Sequence, residues 1–167
     1  MDPHLLTALM AAIGGVEDPA VLDSTCSACA VAPGVDGVAV TLIGSSLDES
    51  VVGASDLVGK RLKEAELSAG EGPCVDAART GRTVATADLT DAAGGQWPAL
   101  LGYLDTSPIR AVIAIPLADG EERIGSFNLY SARAHGLDHL QSAALEPIAA
   151  AMGDTVRRVT AHLNSKA

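Results

Sequence analysis

Aromatic residues are nearly missing from this sequence: one Trp, one Phe and two Tyr among 167 residues. The core must therefore be built from Val, Leu, Ile and abundant Ala, and each large ring stands out where it falls. Long apolar runs are missing too. No stretch approaches the ~20 residues of a membrane-spanning helix, so no membrane partner is expected. Basic residues are scarce, with 11 Lys and Arg against 21 Asp and Glu and a net charge of −10. Nucleic-acid binding needs clustered cations facing phosphates. The two small basic groups, Lys60-Arg61-Lys63 and Arg157-Arg158, are flanked by acids and read as solvated helix faces. No nucleic-acid partner is expected either. There are only three cysteines, and Met1-Asp2-Pro3-His4 lacks the basic start of a secretory signal. That combination fits a reducing cytoplasm better than a disulfide scaffold.

What is present centres on Gly70-Glu71-Gly72-Pro73-Cys74. Two glycines permit positive φ and close backbone approach, and Pro73 suits the first position of a helix. The helix runs through Val75 to Arg79 and ends at Gly81. Cys74 then lies in its first turn, where free N–H groups and the dipole favour a thiolate. Glu71 and Asp76 oppose that charge. The residues favour a buried packing thiol over a reactive one.

Around this turn the chain reads as one domain of ordinary size, able to bury roughly 70% of its unfolded surface. A short helix spans about 3–13. A second follows Asp18-Pro19, with Leu22, Cys26 and Cys29 on one stripe. Cys26 and Cys29 at i,i+3 on a helix have Cβ atoms ~5–6 Å apart, too far for a relaxed disulfide at ~3.8 Å. With no second pair and no nearby His they make a poor zinc site, so core packing is expected. Val38–Ile43 and Val51–Ser55 read as an antiparallel hairpin, and a helix spans about 57–67. A short strand spans 83–87, a loop 88–96, and Trp97-Pro98 opens a helix to about Thr106. Arg110–Leu117 is the most continuous apolar run, as in a central strand. Asp119-Gly120 predicts a two-residue turn into a strand over about 123–130. Residues 135–167 form a long amphipathic helix interrupted by Pro147. The order is α-α-β-β-α-α-β-α-β-β-α, an α+β fold with an antiparallel sheet flanked by helices.

Several of these pieces together resemble a GAF domain, of the type that precedes ANTAR output domains in actinobacterial regulators. They are Asp36-Gly37-Val38-Ala39-Val40-Thr41-Leu42 after the Cys26/Cys29 helix, and Leu67 through Cys74. Gly81-Arg82, Trp97-Pro98, Arg110-Ala111-Val112, Ile115-Pro116-Leu117, Ile124-Gly125 and Leu129-Tyr130 complete the set. The likeness runs from about Asp18 to the end and implies a single domain, with 1–17 as an N-terminal helix, 18–134 as the core and 135–167 as the last helix. It implies a GAF/PAS-like sheet, N- and C-terminal helices packed together, and a cleft that in relatives takes cyclic nucleotides, tetrapyrroles, haem or other small molecules. Because the sequence stops at Ala167, no RNA-binding ANTAR segment is expected, and signalling would pass through a homodimer of the terminal helices or a signalling protein partner.

The resemblance places the cleft beneath residues 88–105, beside the Gly70–Cys74 turn. Its candidate ligand contacts are Glu71, Cys74, Trp97, Tyr103 and Arg110, since two rings and a guanidinium suit a planar or anionic ligand. The alternative is that Trp97 plugs the cleft and Arg110 pairs with Glu71 or Asp88. None of the four histidines falls there. His135 and His139, at i,i+4 near the start of the last helix, lack a third metal ligand. No metal and no haem are expected, and the residues assign no particular cofactor. The leading reading is a non-catalytic sensory domain that is not an enzyme. A cysteine-based redox enzyme like the GAF proteins that reduce free methionine sulfoxide, and a filled interaction module, are the alternatives.

Overall fold

The structure, a computed structural model, describes residues 26, 30, 33–42, 53–91, 95–106, 108–140 and 142–166. Their elements run β1 (Gly37–Leu42), α1 (Leu57–Ala69), α2 (Pro73–Thr80), β2 (Val84–Thr86), α3 (Pro98–Tyr103), β3 (Ala111–Asp119), β4 (Glu122–Ser131) and α4 (Ser142–Lys166). The strands form one sheet in the order β1-β4-β3-β2, antiparallel throughout. The apolar run Arg110–Leu117 thus falls on a central strand, Ala111–Asp119, as expected. The proposed hairpin partner of β1 is seen as an antiparallel bridge between Ala39 and Ala54. The rest of that hairpin, the two N-terminal helices and Cys29 lie outside the described residues.

Side chains alternate across the sheet with period two, and the two faces differ in chemistry. On one face Val38, Val40, Ile113, Ile115, Phe127 and Leu129 pack against Leu145, Ile148, Met152 and Val156 of α4. Buried Cys26 joins this cluster. The opposite face carries Thr41, Val112, Ala114, Ser126, Asn128 and Tyr130, covered by α1, α2 and α3. Tyr130 stands opposite Gly37, where a Cβ would overlap its ring. Its hydroxyl donates to Asp56 at 2.5 Å, and Asp56 also caps α1 by accepting from Gly59 N–H. Burial, then the Asp56 carboxylate, pushes the Tyr130 hydroxyl well above its ordinary pKa.

Three boundaries differ from the sequence reading. The last helix begins at Ser142 rather than near 135, because 135–140 is a run of turns. His135 sits there at φ 62° with its N–H bonded to Ala87 O. A Cβ on Gly136 would meet the Ser131 side chain. The two histidines therefore share no helix face: His135 pairs with Asp138 at 2.8 Å, and His139 Nε2 lies 2.7 Å from Pro33 O. The β3–β4 turn is Gly120-Glu121, one residue later than expected, with glycine in the first central position that a II′ turn prefers. Helix α3 stops at Tyr103, three residues early, where Leu104 turns extended.

Candidate functional site

The Gly70–Cys74 turn joins α1 to α2 as its residues dictate. Helix α1 ends at Gly70 in the left-handed region, and α2 opens with Pro73. Between them Gly72 has φ 144°, and a Cβ there would lie 2.6 Å from Glu66 Cγ and 2.7 Å from its Oε1. Glycine is required at this point because Glu66 folds back against the turn. Its Oε1 accepts from Cys74 N–H at 2.9 Å, so a side chain of α1 satisfies an otherwise free donor of α2.

Glu66 and Cys74 are both fully buried. Burial is the main force on Glu66 and raises its pKa to about 7. Burial likewise pushes the Cys74 thiol well above its ordinary value, reinforced by the Glu66 charge beside it. The thiol faces Glu66, Thr41 and Ser126. A helix N-terminus favours a thiolate, but here desolvation and a neighbouring carboxylate dominate, and the thiol is held protonated.

The other candidate residues surround α3. Glu71 Oε1 accepts from Ala99 N–H at 2.5 Å and Leu100 N–H at 3.3 Å, capping a helix that has no local side-chain cap. Trp97 is 7% exposed and packs with Leu62, Leu100, Leu104, Ile109 and Tyr130. Its Nε1–H donates to Asp76 Oδ2 at 2.8 Å. The ring thus fills the space under α3, the outcome weighed above as the alternative. Arg110 forks onto Asp88, with Nε to Oδ1 at 2.8 Å and Nη2 to Oδ2 at 2.5 Å. The guanidinium holds the Asp88 carboxyl below the usual carboxylate range. Tyr103 points away from all of these and is 65% exposed.

The five side chains therefore do not line one cleft. Glu71 and Trp97 each lie at the start of α3 with different partners, Cys74 faces the sheet, Arg110 is paired at the head of β3, and Tyr103 lies on an open groove of about 300 Å³. The groove runs between α1 and α3, floored by Ala65, Leu104 and Ile109 and rimmed by Arg61, Glu64 and Asp105. Among the described residues no three His, Cys, Asp or Glu side chains gather as a metal set. No helix among them is long and apolar enough to cross a membrane.

Sequence reasoning missed Glu66, Thr41, Ser126 and Asn128. Glu66 falls at the spacing of α1's buried stripe of Leu62 and Ala65, and a carboxylate on an apolar stripe is itself the signal. Ser126 and Asn128 alternate with Phe127 and Leu129 in a strand buried on both faces.

The GAF domain family model matches residues 19–157. This chain belongs to the GAF domain family. Solved structures share the fold. The GAF domain of an Acinetobacter phosphoenolpyruvate-protein phosphotransferase superposes at TM-score 0.68 with 15% identity, covering 96% of this chain and 97% of that one. The free methionine-R-sulfoxide reductase of Neisseria meningitidis, in complex with its substrate, reaches 0.62 at 18% identity, over 93% and 87%. A domain of a putative two-component sensor histidine kinase from Sinorhizobium meliloti reaches 0.54 at 19%, over 88% and 95%. No curated protein matches the sequence. At these identities the likeness speaks for the GAF fold, which sensor and enzyme alike have adopted.

Proposed function

We propose that this GAF domain is a non-catalytic, cytoplasmic sensory module of the type that accompanies ANTAR outputs in actinobacterial regulators. Its small-molecule contact is the groove between α1 and α3, where Tyr103 is open to solvent. The observation that carries the reading is Cys74: a thiol with no exposed surface, pushed toward its protonated form, is a poor nucleophile. The second described cysteine, Cys26, packs on the opposite face of the sheet and is out of reach as a resolving partner. The groove is an open concavity beside Tyr103; a second of about 310 Å³ is lined by Trp97, Asp88, Leu89 and Leu101.

The competing reading, a reductase acting on free methionine sulfoxide, draws on the fold neighbours that carry that activity. Titration of the native protein with an aromatic disulfide reagent separates the two. Under the sensory reading Cys74 reacts only after unfolding. Rapid labelling of Cys74 in the folded protein at pH 7, together with turnover of methionine-R-sulfoxide by a thiol reductant, overturns it. Native mass spectrometry of the purified protein then reads any resident ligand as mass lost on denaturation.

Dimerisation through the terminal helices is proposed alongside. Helix α4 lays its apolar stripe on the sheet and turns Glu146, Asp154, Arg157 and Arg158 outward, so a dimer through α4 would pair polar faces. Sedimentation velocity in low and high salt tests it: a dimer that dissociates as salt rises is the expected result, and a monomer at all salts and concentrations refutes it.

A further inference from the structure

Five polar side chains, three from the sheet and one each from α1 and α2, meet between the sheet face and these helices. Thr41 stands opposite Ser126 across β1 and β4, and Asn128 lies two residues along, opposite Ala114 of β3. Cys74 packs on Ala114 and faces Thr41, Ser126 and Glu66. All five are fully buried. Two hydrogen bonds are direct: Ser126 Oγ donates to Asn128 Oδ1 at 3.0 Å, and Cys74 N–H donates to Glu66 Oε1 at 2.9 Å. Thr41 Oγ1, Glu66 Oε2 and Asn128 Nδ2 have no nitrogen or oxygen partner among the described residues. The thiol beside Thr41 is only a weak substitute.

Three orphans in one dry cluster are expensive. Each buried polar atom left unpaired lowers the folding constant by roughly 5- to 150-fold. Immobilising one water lowers it by at most roughly 30-fold. The hydrogen-bonding demands are also complementary. Asn128 Nδ2 needs an acceptor, Glu66 Oε2 needs a donor as a carboxylate and an acceptor as the acid, and the Thr41 hydroxyl takes either role. One water has the donors and acceptors to meet all three, the usual number of bonds for a buried water. None of the five side chains has exposed surface, so a larger guest has no entry.

We propose that Thr41 Oγ1, Glu66 Oε2 and Asn128 Nδ2 define an internal water site, and that its water closes a clasp joining α1, α2 and the sheet. Glu66 brings α1 to the clasp, Cys74 brings α2, and Thr41 with Asn128 bring β1 and β4. The inference stands on this cluster alone and is independent of the sensory reading.

The sign of one substitution tests it. Thr41→Val keeps the branched shape and removes the hydroxyl. With the water present it strands a hydrogen bond and lowers the folding constant about fivefold or more, read as a fall in urea midpoint at constant m-value. In a dry cluster the same change relieves an orphan and raises the midpoint, which overturns the proposal. The wild-type protein supplies the second measurement, water–proton cross-relaxation by NMR at the Asn128 side-chain amide. A cross-peak of the sign of a long-lived water supports the site. A slowly exchanging amide with no such peak refutes it, whatever the variant does.

Discussion

Replacing Glu66 by Gln should change how the stability of this domain depends on pH. Glu66 is fully buried, and burial raises its pKa from 4.5 to about 7. In the unfolded chain it titrates near the lower value. Between the two, the folded protein holds a proton that the unfolded chain has released, so stability falls as pH rises through that window. Below 4.5 both states are protonated, and above about 7 both are ionised, so the curve is flat at either side. At about 1.36 kcal/mol per unit, a shift from 4.5 to about 7 removes about 3 kcal/mol by pH 8. That is a large share of the roughly 5–15 kcal/mol of a typical domain. Gln keeps the Oε1 acceptor for Cys74 N–H and does not titrate. Cys74 adds nothing in this window, because its raised pKa leaves it protonated in both states. Other carboxylates cancel in the difference between variant and wild type. Urea denaturation at pH 5, 6, 7 and 8 should show Glu66→Gln gaining about 2.5 kcal/mol on the wild type across the series, with unchanged m-values. A difference that stays constant to within about 0.5 kcal/mol would mean that Glu66 is not desolvated, and the burial argument would fail.

Other perturbations follow from the same geometry. Gly72→Ala forces a side chain onto φ 144° and into Glu66 and should cost about 2 kcal/mol or more; Gly70→Ala, at φ 66° with open space around it, should cost only about 1–2 kcal/mol. Chemical denaturation compares the two. Trp97→Ala empties the space under α3 and should cost about 3–5 kcal/mol, whereas Trp97→Phe loses the Asp76 bond and part of the ring volume and should cost about 2 kcal/mol. Arg110→Gln should return the Asp88 carboxyl toward its ordinary titration range, since the guanidinium is the first cause of its depression; side-chain carboxyl NMR across acid pH reads this directly.

The architecture was legible because its signals are local. Gly70 and Gly81 end helices, Pro73 begins one, and the apolar run Arg110–Leu117 falls on the central strand Ala111–Asp119. Boundaries moved where a distant contact decides them: the last helix cannot start at His135 because that N–H is bonded to Ala87 and Gly136 lies against Ser131. The site was legible only as a set of residue types. Glu71, Cys74, Trp97, Tyr103 and Arg110 are the unusual side chains of an aromatic-poor, acidic sequence, but which of them meet depends on the rotation of α2 and α3. That rotation turns Cys74 to the sheet and Tyr103 to solvent. The partners that fix it are Glu66, whose place on the apolar stripe of Leu62 and Ala65 marks it as unusual without naming its partner, and Asp76, whose bond to Trp97 spans 21 residues.

Those acids also divide the domain into two mechanical halves. Helix α4 is held to its sheet face by dry aliphatic packing, with Leu145, Ile148, Met152 and Val156 against Val38, Ile115 and Phe127. Packing of this kind is non-directional and insensitive to pH. On the other face, carboxylates tie the helices to one another around α2: Glu66 of α1 to Cys74 N–H, Glu71 to the first turn of α3, and Asp76 of α2 to Trp97. Hydrogen bonds to charged groups are directional and depend on ionisation. A ligand in the groove between α1 and α3 would press on helices held together by those three bonds and by the cluster of Leu62, Ala65, Leu100 and Leu104. The stiff half then serves as the fixed frame. The Gly70–Cys74 turn, which lies between Glu66 and Asp76 and itself carries Glu71, is a second joint between α1 and α3, beside the direct packing of Leu62 and Ala65 on Leu100 and Leu104.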